Sequence, residues 1–254
     1  MVIPNKKGVE IIVKKVFKLL FPLNEDLTGN DHSSASPFVR ERLAAIISGL
    51  KPGDSLTAEQ FIDSLPDVRV HLLADADFIL ESDPAAKSLE EVIAVYPGFF
   101  AIYCYRIAHI LNNLAVPLLP RMITEYAHKI TGIDIHPGAE IGNPFSIDHG
   151  TGIVIGETTK VGNHVKIYQG VTLGALSVDK ARASDKRHPT IEDNVILYAG
   201  STILGGNTVI GRNSIIGGNV WLTESIAPFS VVYHKSEIVV RDQGSFQEPI
   251  NFVI

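Results

Sequence analysis

Residues 135–174 read IHPGAEIGNPFSIDHGTGIVIGETTKVGNHVKIYQGVTLG, and an apolar residue returns in them every six positions. Ile135, Ile141 and Ile147 keep this spacing, and so do Ile155, Val161, Ile167 and Leu173. The beat resumes with Ile191, Leu197 and Ile203 and then, one residue late, with Ile210, Ile216 and Leu222. Gly often follows the apolar residue, as at Gly142, Gly156, Gly162, Gly174, Gly211 and Gly217. A helix repeats its apolar face every ~3.6 residues and a half-buried strand every ~2, so neither explains the hexad. The pattern is that of a parallel β-helix, in which each six-residue unit is one flat side of a coil and its apolar residue stacks on those above and below. Gly, Asn and Asp between the strands suit the tight corners. Thirteen units are countable, which predicts about four triangular turns.

Residues 1–130 lack the hexad and read as helices. Val9, Ile12, Val13, Val16, Leu19 and Leu20 follow a helical period. Asn24 to Ser36 is polar and reads as a loop, and Leu43, Ile46, Ile47 and Leu50 mark a second helix closed by Pro52-Gly53. Thr57 with Gln60, and Ser88 with Glu91, have the spacing of capping boxes. Gly98 to Ala115 reads as a long apolar helix stopped by Pro117, and residues 118–130 as one more. The expected architecture is α+β: an all-helical N-terminal domain over 1–130, a β-helix over 131–236 and a tail over 237–254.

Composition narrows the function classes. A net charge of −6 gives no electrostatic footprint for nucleic acid. The single cysteine, Cys104, cannot form an internal disulfide, which fits a reducing, cytoplasmic setting. No apolar run reaches the ~18 residues of a spanning helix, and Lys14, Lys15 and Lys18 interrupt the N-terminal apolar stretch, so neither a membrane segment nor a signal peptide is expected. Cys104 lies among Tyr103, Tyr105 and Ile107 and reads as a buried structural thiol, not a nucleophile.

Two irregularities break the stack: a two-residue slip within Ile147-Asp148-His149-Gly150-Thr151-Gly152, and the excursion from Ala175 to Pro189. Long departures from a solenoid are places where function collects. Asp134-Ile135-His136-Pro137-Gly138-Ala139, Asp148-His149-Gly150-Thr151-Gly152, Gly156-Glu157-Thr158, Val171-Thr172-Leu173-Gly174 and Arg187-His188-Pro189 together resemble the serine acetyltransferases, over roughly residues 80–230. The resemblance implies a left-handed parallel β-helix assembled as a homotrimer or a dimer of trimers. It implies active sites between neighbouring β-helices, one chain supplying the histidine of the Asp-His pair and the other that of the Arg-His-Pro block.

The implied reaction is transfer of acetyl from acetyl-CoA, a co-substrate, to the hydroxyl of L-serine, in cysteine biosynthesis; no tightly bound cofactor or metal is expected. A serine hydroxyl needs a base, and His149 is the candidate, with Asp134 expected to bond its other ring nitrogen. Arg187 would hold the substrate carboxylate, and Asp148 and Asp83 the ammonium. His188 would bond the carboxylate or help position the hydroxyl, and Glu157 is a further polar candidate. Asp83, in Ser82-Asp83-Pro84-Ala85, also has the look of a helix N-cap. CoA would lie along a groove of small residues, Gly174, Ala199, Gly200, Gly217 and Gly218, each of which is equally explained as a corner. Gly174-Ala175 replaces a Gly-Gly common in the family, and Val231-Val232-Tyr233-His234-Lys235 replaces a Gly-Val-Pro-Ala run.

The chain ends Asn251-Phe252-Val253-Ile254, similar to family members whose C-terminal isoleucine enters the active site of O-acetylserine sulfhydrylase; the plain alternative is a frayed terminus. Rival readings of the whole chain are an acyltransferase for a sugar or antibiotic hydroxyl, a γ-carbonic-anhydrase-like metal enzyme using His136, His149, His164 and His188, and a non-catalytic scaffold.

Overall fold

The computed structural model of the chain describes residues 3–22, 32–54, 56–176 and 185–235. Helices come first: α1 (Lys6–Leu20), α2 (His32–Leu50), α3 (Thr57–Ser82), α4 (Leu89–Val95), α5 (Pro97–Asn113) and α6 (Leu119–Thr131). The α1 stripe of Val9, Ile12, Val13, Val16 and Leu20 is buried, as its period requires. α5 is the central helix, with Phe99, Ile102, Tyr103, Cys104 and Ile107 all buried. Tyr103 donates its hydroxyl to the Val13 carbonyl at 2.6 Å, so the buried phenol keeps a partner. α6 ends at Thr131, where Gly132 takes a left-handed conformation and its N–H returns to the His128 carbonyl.

Three local expectations change. Helix α2 begins at His32, inside the stretch read as a loop, and runs on without a break into the turns that bury Val39, Leu43 and Ile47. Thr57 does not open a capping box. Asp54 accepts from the Leu56 and Thr57 N–H groups at 3.2 and 2.9 Å and from the Thr57 hydroxyl at 2.6 Å. A carboxylate suits a helix start better than a hydroxyl does. Ser88 caps α4 by accepting from Glu91 N–H, but Glu91 returns its carboxylate to Lys87 N–H, one residue before the Ser88 position a reciprocal box requires.

The strands then form three parallel sheets. The first contains β1 (Asp134–Ile135), β4 (Val154–Ile155), β7 (Thr172–Gly174), β10 (Thr202–Leu204) and β13 (Trp221–Leu222). The second contains β2 (Glu140–Ile141), β5 (Lys160–Val161), β8 (Thr190–Ile191) and β11 (Val209–Ile210). The third contains β3 (Phe145–Asp148), β6 (Val165–Tyr168), β9 (Ile196–Leu197), β12 (Ile215–Ile216) and β14 (Val231–Val232). A bridge from Ile210 to Ile226 adds a rung to the second sheet. The chain therefore makes about five coils, not four. The last coil escaped the count because Ile226 and Val232 do not keep the six-residue spacing from Leu222.

Register confirms what the hexad residues do. Ile135 pairs with Ile155, Ile155 with Leu173 and Leu173 with Ile203, and all four side chains are buried. Each such side chain contributes about 1.5–3 kcal/mol, available only with neighbours above and below. The helices close the first coil: α3 and α5 pack on β3, and α6 on β1. A buried knot secures the junction. Asp75 of α3 accepts from Arg106 of α5 at 2.5 and 2.8 Å, from the Asn143 amide at 2.8 Å and from Phe145 N–H at 2.8 Å. Both Asn143 and Phe145 flank the corner between β2 and β3.

Candidate active site

Each irregularity in the six-residue beat lands on a corner. Asp134 pairs with Val154, whereas Val154 pairs with Thr172, so the first coil carries two residues more than the second. They are taken up where the third sheet leads to the first, in the turn holding His149. This turn gives His149 a φ of 58° and leaves its side chain 72% exposed. The second excursion leaves the first sheet after β7 and returns at Asp185 to the corner leading to the second sheet. The extra residue before Ile210 sits at that same corner, around Gly205 and Gly206. A Cβ on Gly206 would lie 2.0 Å from the Lys186 carbonyl oxygen, so this glycine lets the returning segment lie against the coil.

The His149 corner gathers acids. Asp148 Oδ1 is 3.6 Å from His149 Nε2, and Asp148 Oδ2 is 3.1 Å from the Lys166 ammonium. Asp83 follows the last residue of α3 and is the C-cap of that helix, not the N-cap of the next. It accepts from Ala85 N–H at 2.9 Å and from the Tyr96 hydroxyl at 2.8 Å. The Ala85 bond, with help from Tyr96 and Lys166, holds the Asp83 carboxyl below its usual range. The Asp83 bond in turn pushes the Tyr96 phenol up to about 12.

The other corner holds Glu157, Arg187 and His188. Arg187 Nη2 bonds Glu157 Oε2, and its backbone N–H donates to the Thr158 hydroxyl oxygen at 2.9 Å. Burial acts to raise the Glu157 carboxyl, but the Arg187 bond together with the nearby His136, Arg187 and His188 charges holds it below its usual range. His188 is 8% exposed. Thr158 N–H donates to its Nδ1 at 3.1 Å, and the Thr158 hydroxyl lies 2.9 Å from the same atom. An accepting Nδ1 puts the proton on Nε2. Burial and the adjacent Arg187 charge push the His188 pKa down to about 4, so the ring is neutral near pH 7 and presents one Nε2–H donor. A cleft of ≈ 630 Å³ opens beside this corner, lined in part by Leu176, Arg187, Gly206, Asn207 and Thr223.

Other expected groupings come apart. The bond expected between Asp134 and His149 is not formed within this chain among the described residues. Asp134 Oδ1 accepts instead from Arg121 at 3.0 Å, because α6 packs over β1 and brings that cation to it. The small residues proposed for CoA divide between corners. Ala199, Gly200, Gly217 and Gly218 lie in the turns after β9 and β12, on successive coils of the His149 corner, whereas Gly174 ends β7 at the Arg187 corner. Of the four histidines nominated for a metal, His164 packs on Phe78, His149 occupies one corner, and His136 and His188 the other. The one group of clustered potential ligands among the described residues is Glu125, His128 and Asp134, and Arg121 already bonds two of these. Cys104 is buried, and burial pushes its thiol up, away from thiolate chemistry. Residues 236–254, including Ile254, lie outside the described residues. Tyr96, Thr158 and Lys166 were not singled out as site residues from sequence. Thr158 had a signal, in the Gly156-Glu157-Thr158 block; Tyr96 and Lys166 had none.

No protein-family model matches the chain. It is 51% identical over 179 residues to the plasmid serine acetyltransferase of Synechococcus elongatus, covering 68% of this chain and 56% of that one, so it spans little more than half of that relative's length. It is 44% identical over 180 residues to serine acetyltransferase of Bacillus licheniformis, covering 71% of this chain and 82% of that one. The structure superposes on Entamoeba histolytica serine acetyltransferase 1 in complex with L-cysteine, with TM-score 0.79, 35% identity and coverage of 87% and 86%. It also matches the Neisseria gonorrhoeae serine acetyltransferase in complex with serine, at TM-score 0.65, 28% identity and coverage of 89% and 95%. The Brucella abortus enzyme in complex with coenzyme A matches at TM-score 0.64, 27% identity and coverage of 87% and 76%.

Proposed function

Because the chain belongs to the serine acetyltransferase family, we propose that it transfers the acetyl group of acetyl-CoA to the hydroxyl of L-serine, giving O-acetylserine and CoA. The observation that carries this reading is the sorting of charge between two corners. One corner offers the carboxylates of Asp83 and Asp148 beside an exposed imidazole; the other offers the Arg187 guanidinium and the His188 Nε2–H donor. Together they match both ends of an amino-acid zwitterion and its hydroxyl.

In the reaction, Asp83 and Asp148 receive the ammonium and Arg187 the carboxylate. His149 takes the hydroxyl proton as the serine oxygen attacks the thioester carbonyl. The tetrahedral intermediate collapses with cleavage of the C–S bond, and the imidazolium returns its proton to the departing thiolate. His188, with its pKa pushed down to about 4 and its Nδ1 lone pair occupied by Thr158, is the weaker base of the two and donates Nε2–H to a substrate oxygen. In this reading the two halves come from neighbouring copies, so each site lies between chains. Exposed apolar side chains on the outer faces of the coil, among them Val154, Trp221, Val231 and Tyr233, support a trimer or a dimer of trimers. CoA would then lie between chains, with Ala199, Gly200, Gly217 and Gly218 on one side and Gly174 on the other. Capture of the C-terminal Ile254 by O-acetylserine sulfhydrylase, and a cytoplasmic setting with Cys104 reduced, belong to the same reading.

The test follows free thiol from acetyl-CoA with L-serine and with a panel of sugar hydroxyls. Serine-dependent release is expected, and Arg187→Met should raise the serine KM roughly ten- to hundredfold, the loss of a charge-assisted pair. Release with a sugar and none with serine would replace this reading. Gly156→Ala is a second check. Its Cβ would lie 2.0 Å from His188 Cδ2 and 2.1 Å from Nε2, so the ring must move. Serine-dependent kcat/KM should fall by about tenfold or more in a folded, assembled protein; wild-type rates would show that the His188 position is unimportant.

A further inference from the structure

The outer face of β6 holds a charged residue that the reaction above leaves without a role. Lys166 stands between Ser146 of β3 and Ile196 of β9 in register and is 6% exposed. Its ammonium donates to the Ser82 carbonyl at 2.7 Å, lies 3.1 Å from Asp148 Oδ2, and sits 4.7 Å from the centroid of the Tyr168 ring. Burial opposes the charge, but the Tyr168 and Asp148 contacts outweigh it and keep the lysine pKa above its usual value. A lysine this deep is costly unless every donor direction is used, and here each of the three has a partner.

Those partners belong to two parts of the molecule. Ser82 is the last residue of α3, and its neighbour Asp83 faces the site; Asp148 ends β3 of the coil. Without a cation between them, two carboxylates aimed at one substrate ammonium would repel and turn apart. With Lys166 in place, the helix end carrying Asp83 and the strand end carrying Asp148 are held to one point, and Asp148 keeps Oδ1 toward His149.

We infer that Lys166 is a positioning residue for the amino-acid substrate: it holds Asp83 and Asp148 at the spacing that receives the substrate ammonium and has no part in binding acetyl-CoA. This rests on the serine reading above. Nothing in residues 165–168 announces it, since a lysine between Val165 and Ile167 reads as an outward, solvated position.

The experiment measures kcat and both KM values for the wild type, Lys166→Met and Lys166→Arg, each as the full-length assembled protein, with thermal unfolding as a control. Methionine keeps the stem and removes the charge; arginine keeps the charge but cannot reproduce a compact three-way donor. The serine KM should rise about tenfold or more in Lys166→Met and by less in Lys166→Arg, while the acetyl-CoA KM stays within about twofold of wild type. An unchanged serine KM, or an equal rise in both KM values, would reduce Lys166 to a structural residue. If Lys166→Met fails to assemble, Lys166→Gln, which keeps a polar head without the charge, decides in its place, and a wild-type serine KM in it overturns the inference. Absence of serine-dependent release in the wild type is a different failure: it removes the serine reading, and this inference with it.

Discussion

His149→Ala should lower serine-dependent thiol release by at least about a hundredfold, the usual loss when a positioned base is removed. A 1:1 co-assembly with Arg187→Ala chains should then recover roughly a quarter of wild-type activity, the statistical share of interfaces joining two intact halves. Both expectations come from the same geometry. His149 projects from a widened corner and is 72% exposed, with the acids of its own chain beside it. Arg187 and His188 stand on the next corner of the coil, where Glu157 and Thr158 hold them. A site made within one chain would give two inactive variants whose mixture stays inactive. A His149→Ala protein that keeps its rate would show that another group takes the proton. The Asp134 carboxylate gives Oδ1 to Arg121, and its Oδ2 is the atom that would accept from an imidazole.

Asp75→Ala should cost about 3–5 kcal/mol, because it leaves the buried Arg106 guanidinium with the Gly142 carbonyl but no counter-charge, and the Phe145 N–H without its acceptor. At ~2–4 °C per kcal/mol for a chain of this size, the unfolding midpoint should fall by roughly 6–20 °C, measured at fixed protein concentration. Asp75 is 0% exposed and accepts from groups on α5 and on the β2–β3 corner, so no single element can compensate. The double variant Asp75→Leu with Arg106→Met should recover much of the loss, since an apolar pair leaves no orphaned charge. A midpoint within a degree or two of wild type for Asp75→Ala would mean that water replaces the carboxylate and that the junction is looser than its hydrogen bonds suggest. Because α3 ends at Ser82 and leads directly into Asp83, the single variant is expected to weaken serine binding before it unfolds.

What local spacing can encode was legible. Stacking demands the same apolar residue at the same point of every coil, so Ile135, Ile155, Leu173 and Ile203 declare a parallel β-helix without reference to anything distant. The breaks in that beat were equally local, and they marked both corners of the candidate site, with His149 in one and Arg187-His188 in the other. The last coil was missed for the converse reason: Ile226 and Val232 complete it off the beat.

Contacts between residues far apart in the chain left no such trace. Lys166 meets Ser82 across 84 residues, and Asp75 meets Phe145 across 70. Asp134 turned to Arg121 because α6 lies over β1, a packing choice that the spacing of Asp134 and His149 could not foresee. The five small residues read as one groove are divided between two corners, because the corner a glycine occupies depends on how many residues each preceding coil holds. The solenoid, the helical segment before it and the residue types of the site are legible in the amino-acid order, since each is written in short-range periodicity or in a contiguous motif. The tertiary structure alone decided which side chains share a corner, which carboxylate has which cation and which tautomer His188 adopts, because those follow from how coils and helices are stacked in space.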